Sequence, residues 1–382
     1  MRITQCVRRL EAYTPGEQPK VRNVVKLNTN ENPYPPSPAC AAVLKGFDPE
    51  KLRKYPDPNF SDLREALAKL NGTVPENVFV GNGSDEILAL AAKAFVENDE
   101  AIGSLDPSYS LYKTLAAIRD VKWVGEDMRR ETKDETSHVS RLASSNVSLF
   151  LWTNPNAPTG ELAEPETIAA FARKFPGVVL VDEAYADFAR TNCMSLATRR
   201  GNRNVIVMRT FSKSYSLAGL RVGYCVGPKD LVDALYKVKD SYNVDAIAQA
   251  VALAAVRDQA WMKANVARVV RTRTGLTTAL VRRGWDVIPS ESNFLFARPA
   301  PKGVPFRTAA RTAETLFNAL RARNIFVRYF KGPKTGDRIR ITVGTDAQVR
   351  KLLKALDAIA ANGKVQATGG GRRTTDDSRQ RP

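Results

Sequence analysis

The chain has 382 residues, 43% hydrophobic and 26% charged, and 58 lysines and arginines against 40 acids give it a net charge of +18. That length suits two domains better than one small core, the composition is ordinary globular matter, and no apolar run is long enough for a membrane span. The single histidine, His138, excludes histidine-rich metal sites, and no nucleophile motif points to it for Ser-His-Asp or Cys-His chemistry.

Residues 1–23 read as an arm with a short amphipathic turn (Val7, Leu10), and Met1 to Leu10 lacks the apolar core of a signal peptide. Residues 24–40 form an apolar stub followed by a stiff polar loop. Four prolines between 33 and 38 forbid helix there and fix an extended path. Loops held that way often carry function. Lys54-Tyr55-Pro56-Asp57-Pro58 is a second stiff loop, and it leads into a helix capped near Ser61.

From residue 77 a pattern recurs. Val78-Phe79-Val80 reads as a strand, Gly81-Asn82-Gly83-Ser84-Asp85 as a glycine turn, and Ile87 to Phe95 has helical spacing. Such a turn lets backbone approach a ligand, and the helix start offers free N–H groups to an anion. It is not the dinucleotide fingerprint, because the third glycine is missing. Ala101 to Leu105 ends in Asp106-Pro107-Ser108-Tyr109. Val147 to Trp152 ends in Thr153-Asn154-Pro155-Asn156-Ala157-Pro158-Thr159-Gly160. Val178 to Val181 ends in Asp182-Glu183-Ala184-Tyr185, and Val205 to Met208 in Thr210-Phe211-Ser212-Lys213. In an open, mainly parallel sheet those polar turns share the carboxyl edge, where one ligand reaches them all.

The second half differs. Asp230 to about Ala279 reads as helical. Trp285–Ile288, Asn293–Ala297, Ile325–Val327 and Ile339–Val343 read as strands, with helices near 307–322 and 346–361, which makes a smaller α+β domain. From Gly363 the chain is expected to be disordered. Residues 364–382 carry Lys364, Arg372, Arg373, Arg379 and Arg381 against Asp376 and Asp377, so most of the positive charge lies elsewhere. A basic balance attracts polyanions or anionic small molecules. Nucleic-acid binding is the rival function, but the basic residues are spread along the chain with no recognition motif. Cys6, Cys40, Cys193 and Cys225 form no Cys-x-x-Cys, so neither a zinc site nor a disulfide framework is indicated, and a reducing cytoplasm fits.

The turns suggest one chemistry. A lysine just past a buried strand, Lys213, is placed to act as an amine nucleophile. Hydroxyls and an arginine beside it suit a phosphate. Together these point to pyridoxal phosphate, held as a Schiff base on Lys213. Asp182, ending a buried strand, needs a cationic partner, and a protonated pyridine nitrogen is one. Tyr185 would reach the ring oxygen and Tyr109 would stack on the ring. Ser84, Asp85, Thr210, Ser212 and Arg221 would cradle the phosphate. The milder readings are a helix cap for Asp182 and a core aromatic for Tyr109.

From about Tyr13 to Thr345 the chain resembles the fold-type I pyridoxal-phosphate-dependent aminotransferases, and among them the histidinol-phosphate aminotransferases. The resemblance rests on Leu27-Asn-Thr-Asn-Glu-Asn-Pro, Tyr55-Pro-Asp-Pro, Gly81-Asn-Gly-Ser-Asp-Glu, Asn154-Pro-Asn-Ala-Pro-Thr-Gly, Val181-Asp-Glu-Ala-Tyr, Thr210-Phe-Ser-Lys and Arg338-Ile-Arg-Ile-Thr-Val-Gly-Thr. It implies a three-layer α/β fold with a mainly parallel sheet in the large domain and a smaller α+β domain. The expected division is an arm and part of the small domain at 1–45, the large domain at 46–265, the small domain at 266–363 and a basic tail at 364–382.

The resemblance further implies that Lys213 shuttles a proton between the substrate Cα and the cofactor. It implies a homodimer in which Tyr55 reaches the neighbouring subunit's cofactor phosphate. Arg340 would grip the substrate α-carboxylate, with Tyr13, Asn32 and Arg328 lining the substrate side. The family usually has asparagine immediately before Pro-Thr-Gly, where this chain has Ala157, so Asn156, Asn154 or Tyr185 alone is left for the ring-oxygen contact. The implied reaction exchanges an amino group between histidinol phosphate and 2-oxoglutarate. The alternatives are an aromatic amino-acid aminotransferase or a phospho-amino-acid decarboxylase using the same cofactor. The implied partners are small molecules, with neither nucleic acid nor membrane among them.

Overall fold

The structure is a computed structural model that describes residues 3–10, 16–20, 22–127 and 136–368. Tyr13 lies outside the described residues, and so do residues 369–382 of the tail.

The strands in chain order are β1 (Val25–Lys26), β2 (Val78–Gly81), β3 (Ala101–Leu105), β4 (Lys122–Glu126), β5 (Val147–Thr153), β6 (Val178–Asp182), β7 (Val205–Thr210), β8 (Gly223–Val226), β9 (Asp286–Val287), β10 (Phe294–Arg298), β11 (Ile325–Phe326), β12 (Arg328–Tyr329) and β13 (Ile339–Thr342). Seven form one sheet in the order β2-β8-β7-β6-β5-β3-β4. β8 runs antiparallel to both of its neighbours, β2 and β7, so the other six strands share one direction. The carboxyl ends of β2, β3, β5, β6 and β7 therefore meet at one edge, as the turn pattern predicts.

Two apolar layers sandwich this sheet, and the strands show why. Side chains alternate between faces with a period of two. Phe150, Trp152, Val179, Val181, Val205 and Val207 enter one core. Leu149, Leu151, Leu180, Ile206 and Met208 enter the other. Strands buried on both faces read as continuous apolar runs, which is why these were visible in the sequence. Edge strand β4 was not, because Lys122 and Gly125 are exposed and only Glu126 is buried.

A second core joins β1 and β11, which pair in parallel, to an antiparallel sheet of order β12-β13-β10-β9. The residue 24–27 stub thus packs with strands some 300 residues away, Val25 opposite Ile325. The helical block after Asp230 is three helices, Lys229–Val238, Ala246–Arg257 and Gln259–Arg282. The breaks follow N-cap chemistry: Asp245 accepts from Ala248 N at 2.8 Å and Asp258 from Trp261 N at 3.2 Å. The last helix, Asp346–Thr368, runs past Gly363, where disorder was expected. One glycine costs a helix only about 1 kcal/mol, which Lys-Val-Gln-Ala around it does not aggravate. No helix among the described residues is long and apolar enough to cross a membrane.

Leu180 sits at the middle of β6 and is fully buried. Leu180→Ala is expected to cost about 2–5 kcal/mol of unfolding free energy, the usual range for a core cavity. Urea denaturation of variant and wild type checks this, and a loss below about 1 kcal/mol would mean that the sheet face is loosely packed.

Candidate active site

A cavity of about 490 Å³ opens at the carboxyl edge of the large sheet, walled on its far side by β12 and β13. Ser84, Asp85, Tyr109, Asp182, Tyr185, Thr210, Ser212, Lys213, Arg221, Arg328 and Arg340 all line it. They come from seven separate stretches: those from Ser84 to Lys213 stand at or just past the ends of β2, β3, β6 and β7, Arg221 just before β8, Arg328 at the start of β12 and Arg340 within β13.

Asp182 closes β6 and is 4% exposed. Tyr112 OH donates to its Oδ2 at 2.7 Å and Ala184 N–H to its Oδ1 at 3.1 Å. Burial nonetheless pushes its pKa up to about 6, with Tyr112 and the Ala184 N–H opposing the rise. The same burial, with Asp182 beside it, drives the Tyr112 phenol well above its ordinary value. Tyr112 is therefore a fixed neutral donor. Its oxygen also lies 2.5 Å from Thr153 Oγ1, which pairs with Ser108 Oγ at 3.1 Å. Helix cap is not Asp182's role: no regular α-helix starts there, only a single short turn at Ala186–Phe188.

Lys213 Nζ points towards Thr29 O at 3.5 Å and lies 5.7 Å from the Tyr185 ring centre. The peptide carrying it is held firmly. Ser214 Oγ donates to Asp187 Oδ2 at 2.5 Å, and Asp187 pairs with Arg209, which also grips the buried Glu183 through Nε and Nη2. Asn32 Nδ2 donates to Lys213 O and Ser214 O at 3.1 and 3.2 Å.

One end of the cavity is built for an anion. The Ser84–Ala94 helix starts there, and Gly83 before it has φ +82°. A Cβ on Gly83 would lie 2.6 Å from Arg221 Nη2, and one on Gly223 2.6 Å from Ser84 N, so only glycine lets these pieces close together. Arg221 Nη1 donates to Ser212 Oγ at 3.4 Å. Asp85 repels an anion through its carboxylate. It serves instead by anchoring Arg221 at 3.5 Å and accepting from Tyr109 OH at 3.4 Å.

At the other end Arg328 and Arg340 are direct cross-strand partners on β12 and β13. Like charges placed so are destabilising unless something negative lies between them. Both guanidiniums rest near aromatic rings: Arg340 is 5.2 Å from Phe294 and from Phe330, and Arg328 is 5.3 Å from Phe330. The neighbouring cations are separately matched, Lys331 to Glu314, Lys334 to Asp106 and Arg338 to Asp286.

Three expected residues stand apart from the cavity wall. Asn156 donates to Pro107 O and Thr159 Oγ1 and accepts from Ser108 Oγ, so its amide is spent bracing its own loop while Ala157 faces the cavity. Asn32 is likewise consumed by backbone, as above, and does not line the substrate side. Tyr55 is 80% exposed and stacks on Tyr242 at 4.3 Å. Conversely, the sequence reading missed Asn30 and Tyr112. Asn30 Nδ2 donates to Tyr185 OH at 2.9 Å from a buried, left-handed position (φ +56°) in the Leu27–Pro33 motif. The clue was there, because asparagine tolerates that conformation. Tyr112 sits in an ordinary helix pattern and gave no signal.

Fold and site together place Lys213 and the buried Asp182 in one cavity with arginines at both ends. Residues 22–356 match the class I and II aminotransferases, and the chain belongs to that family. It is 43% identical over 351 residues to histidinol-phosphate aminotransferase 1 of Nostoc sp., covering 92% of this chain and 96% of the relative. A histidinol-phosphate aminotransferase 1 of Burkholderia pseudomallei is 43% identical over 367 residues, 94% of this chain and 98% of that one. The crystal structure of histidinol-phosphate aminotransferase from Sinorhizobium meliloti in complex with pyridoxal-5'-phosphate superposes with a TM-score of 0.83 at 26% identity, covering 94% of this chain and 98% of that chain.

Asp182 gives a pH-dependent expectation. Its folded pKa of about 6 lies above the ordinary 3.8, so the charged form is the costly one when no cation faces it. That cost is complete above about pH 6 and vanishes as pH falls through 6 towards 3.8. Asp182→Asn should therefore raise the melting temperature of cofactor-free protein at neutral pH, with the gain fading on acidification. Thermal melts across that range decide it, and a gain that does not vary with pH would sink the claim.

Proposed function

We propose that the chain is a pyridoxal-phosphate-dependent aminotransferase that moves an amino group between histidinol phosphate and 2-oxoglutarate, a step of histidine biosynthesis. The observation that carries this is the sharing of one cavity by Lys213, Asp182 and the Arg328–Arg340 pair. The residues fit the cofactor. Ser84, Thr210, Ser212 and Arg221 line one end of the cavity together, and a Cβ on Gly83 or Gly223 would displace Arg221 or Ser84 there. The buried Asp182 lacks the cation that a protonated pyridine nitrogen would provide.

Pyridoxal phosphate supplies an aldehyde that exchanges one amine for another and a ring that withdraws electrons from the substrate carbon. Lys213 would hold that aldehyde through Nζ and, once displaced by the substrate amine, would carry the proton away from the substrate carbon and return it. Asp182 would keep the proton on the ring nitrogen, with Tyr112 and the Ala184 N–H fixing its oxygens. Tyr185, steadied by Asn30, would donate to the ring oxygen and replace the asparagine contact that Ala157 removes. Tyr109 would cover one ring face.

Arg328 and Arg340 receive the far end of either substrate. Histidinol phosphate carries a phosphate there and glutamate a carboxylate, and a guanidinium fork binds both in bidentate fashion. The exposed Tyr55, with Leu44 and Leu52 also exposed nearby in sequence, supports a homodimer in which Tyr55 reaches the second subunit's phosphate cradle. The free thiols of Cys6, Cys40, Cys193 and Cys225 support a cytoplasmic setting.

Arg340→Ala should lower kcat/KM for histidinol phosphate by about 1.5–3 kcal/mol of transition-state binding, the range for hydrogen bonds to charged groups, and by less for phenylalanine. Measuring both substrates in wild type and variant tests the function. Equal losses, or a wild type that prefers phenylalanine, would move the assignment to aromatic amino acids.

Mixing inactive Lys213→Ala protein with an inactive Tyr55→Ala variant should restore part of the activity, because one site of each mixed dimer keeps both residues. Absence of complementation while subunits demonstrably exchange would refute the shared site.

A further inference from the structure

A second cavity, of about 450 Å³, lies at the opposite, amino edge of the large sheet. Val205, the first residue of β7, lines it, whereas Thr210, the last, lines the active-site cavity. The two are thus about 16 Å apart along one strand. Four arginines ring this second cavity, Arg173, Arg199, Arg200 and Arg203, and no aspartate or glutamate lines it.

Arginines near helix ends commonly serve to neutralise the last carbonyls. Here that work is done by asparagines. Asn204 Nδ2 donates to Ala172 O, Phe175 O and Gly177 O at 2.9, 3.1 and 3.0 Å, closing the end of the Pro165–Lys174 helix. Asn202 Nδ2 donates to Leu196 O in the Met194–Thr198 helix. None of the four arginines makes a side-chain hydrogen bond or ion pair to another described residue. Gly201, at φ +89°, turns the chain so that Arg199 and Arg200 face the same space as Arg203. All four arginines are exposed, and a multivalent anion seated among them would relieve the repulsion of their like charges, which solvent only partly screens.

We propose that this hollow is a second ligand site that takes a compact polyphosphate, either free tripolyphosphate or the triphosphate of a nucleotide. Guanidinium forks match phosphate oxygens in bidentate fashion. Phe175, Leu196 and Val205 form a floor that is almost wholly buried, so no open aromatic face is offered to a base. Recognition rests on the phosphates. The site differs from the Arg221 cradle in place and in lacking any lysine or buried carboxylate.

The test is calorimetric titration of protein loaded with excess pyridoxal phosphate, with tripolyphosphate, ATP and AMP as probes. Saturable binding of tripolyphosphate and ATP is expected, with AMP much weaker. It should weaken as salt rises. Arg199→Gln with Arg203→Gln should reduce affinity on the order of tenfold per arginine removed, while Arg221→Gln leaves it unchanged. Tighter binding of ATP than of tripolyphosphate assigns the nucleotide; equal or tighter tripolyphosphate binding assigns the inorganic chain. The proposal is overturned by no saturable binding below about 1 mM, by binding that survives the double substitution, or by binding lost with Arg221→Gln.

Discussion

The structure depends on one costly placement, a carboxylate buried at the end of β6. An isolated charge there is unfavourable, and the surroundings are arranged to hold it without quenching it. Thr153 stands opposite Asp182 in register on β5. Tyr112 comes up from the Leu111–Arg119 helix to donate to it. Neither partner carries positive charge. A salt bridge to arginine would have fixed Asp182 as a permanently satisfied ion, as Arg209 does for Glu183 one residue later. The contrast between these neighbours is informative: Glu183 is committed to structure, while Asp182 retains an unmet demand for a cation.

The N-terminal loop ties that demand to the rest of the cavity. Between residues 28 and 34 the chain passes from the small sheet to the large one, and its side chains bond in both directions. Thr342 Oγ1 donates to Asn30 Oδ1 while Asn30 Nδ2 reaches Tyr185. Asn293 Nδ2 donates to Asn30 O, and Asn32 holds the backbone of Lys213. Thr342 lies two residues beyond Arg340 on β13. The strand that carries Arg340 and the tyrosine beside Lys213 are therefore connected through one buried asparagine. The prolines keep the loop extended, and Pro35 O receives donors from Trp261 and Asn265 that pin it to the long helix.

How much of this the sequence disclosed follows from burial. Doubly buried strands announce themselves as apolar runs, and the polar turns after them marked the cavity edge before any geometry was known. Lys213, Asp182, Tyr185, Thr210, Ser212 and Arg221 were legible for that reason. What stayed hidden needed partners from elsewhere in the chain. Tyr112 is an unremarkable helix residue until Asp182 is placed above it. Asn156 stands one residue before the position where the family has asparagine, and its amide is consumed locally. Edge strand β4 and antiparallel β8 lacked either a burial pattern or a directional cue.

The register of β12 against β13 bears on the proposed use of a single pocket for two different anions. Arg328 and Arg340 face each other across the ladder, so their separation is set by strand spacing and not by flexible side chains alone. The Phe330 and Phe294 rings lie 5.2–5.3 Å from their guanidinium carbons, and a guanidinium presents its donors along its planar edge. Such an edge accepts two oxygens of a carboxylate or two of a phosphate at nearly the same geometry. A lysine pair would bind as point charges and would favour the more highly charged phosphate. On the proposed reading, two opposed arginines would suit one site used by both half-reactions.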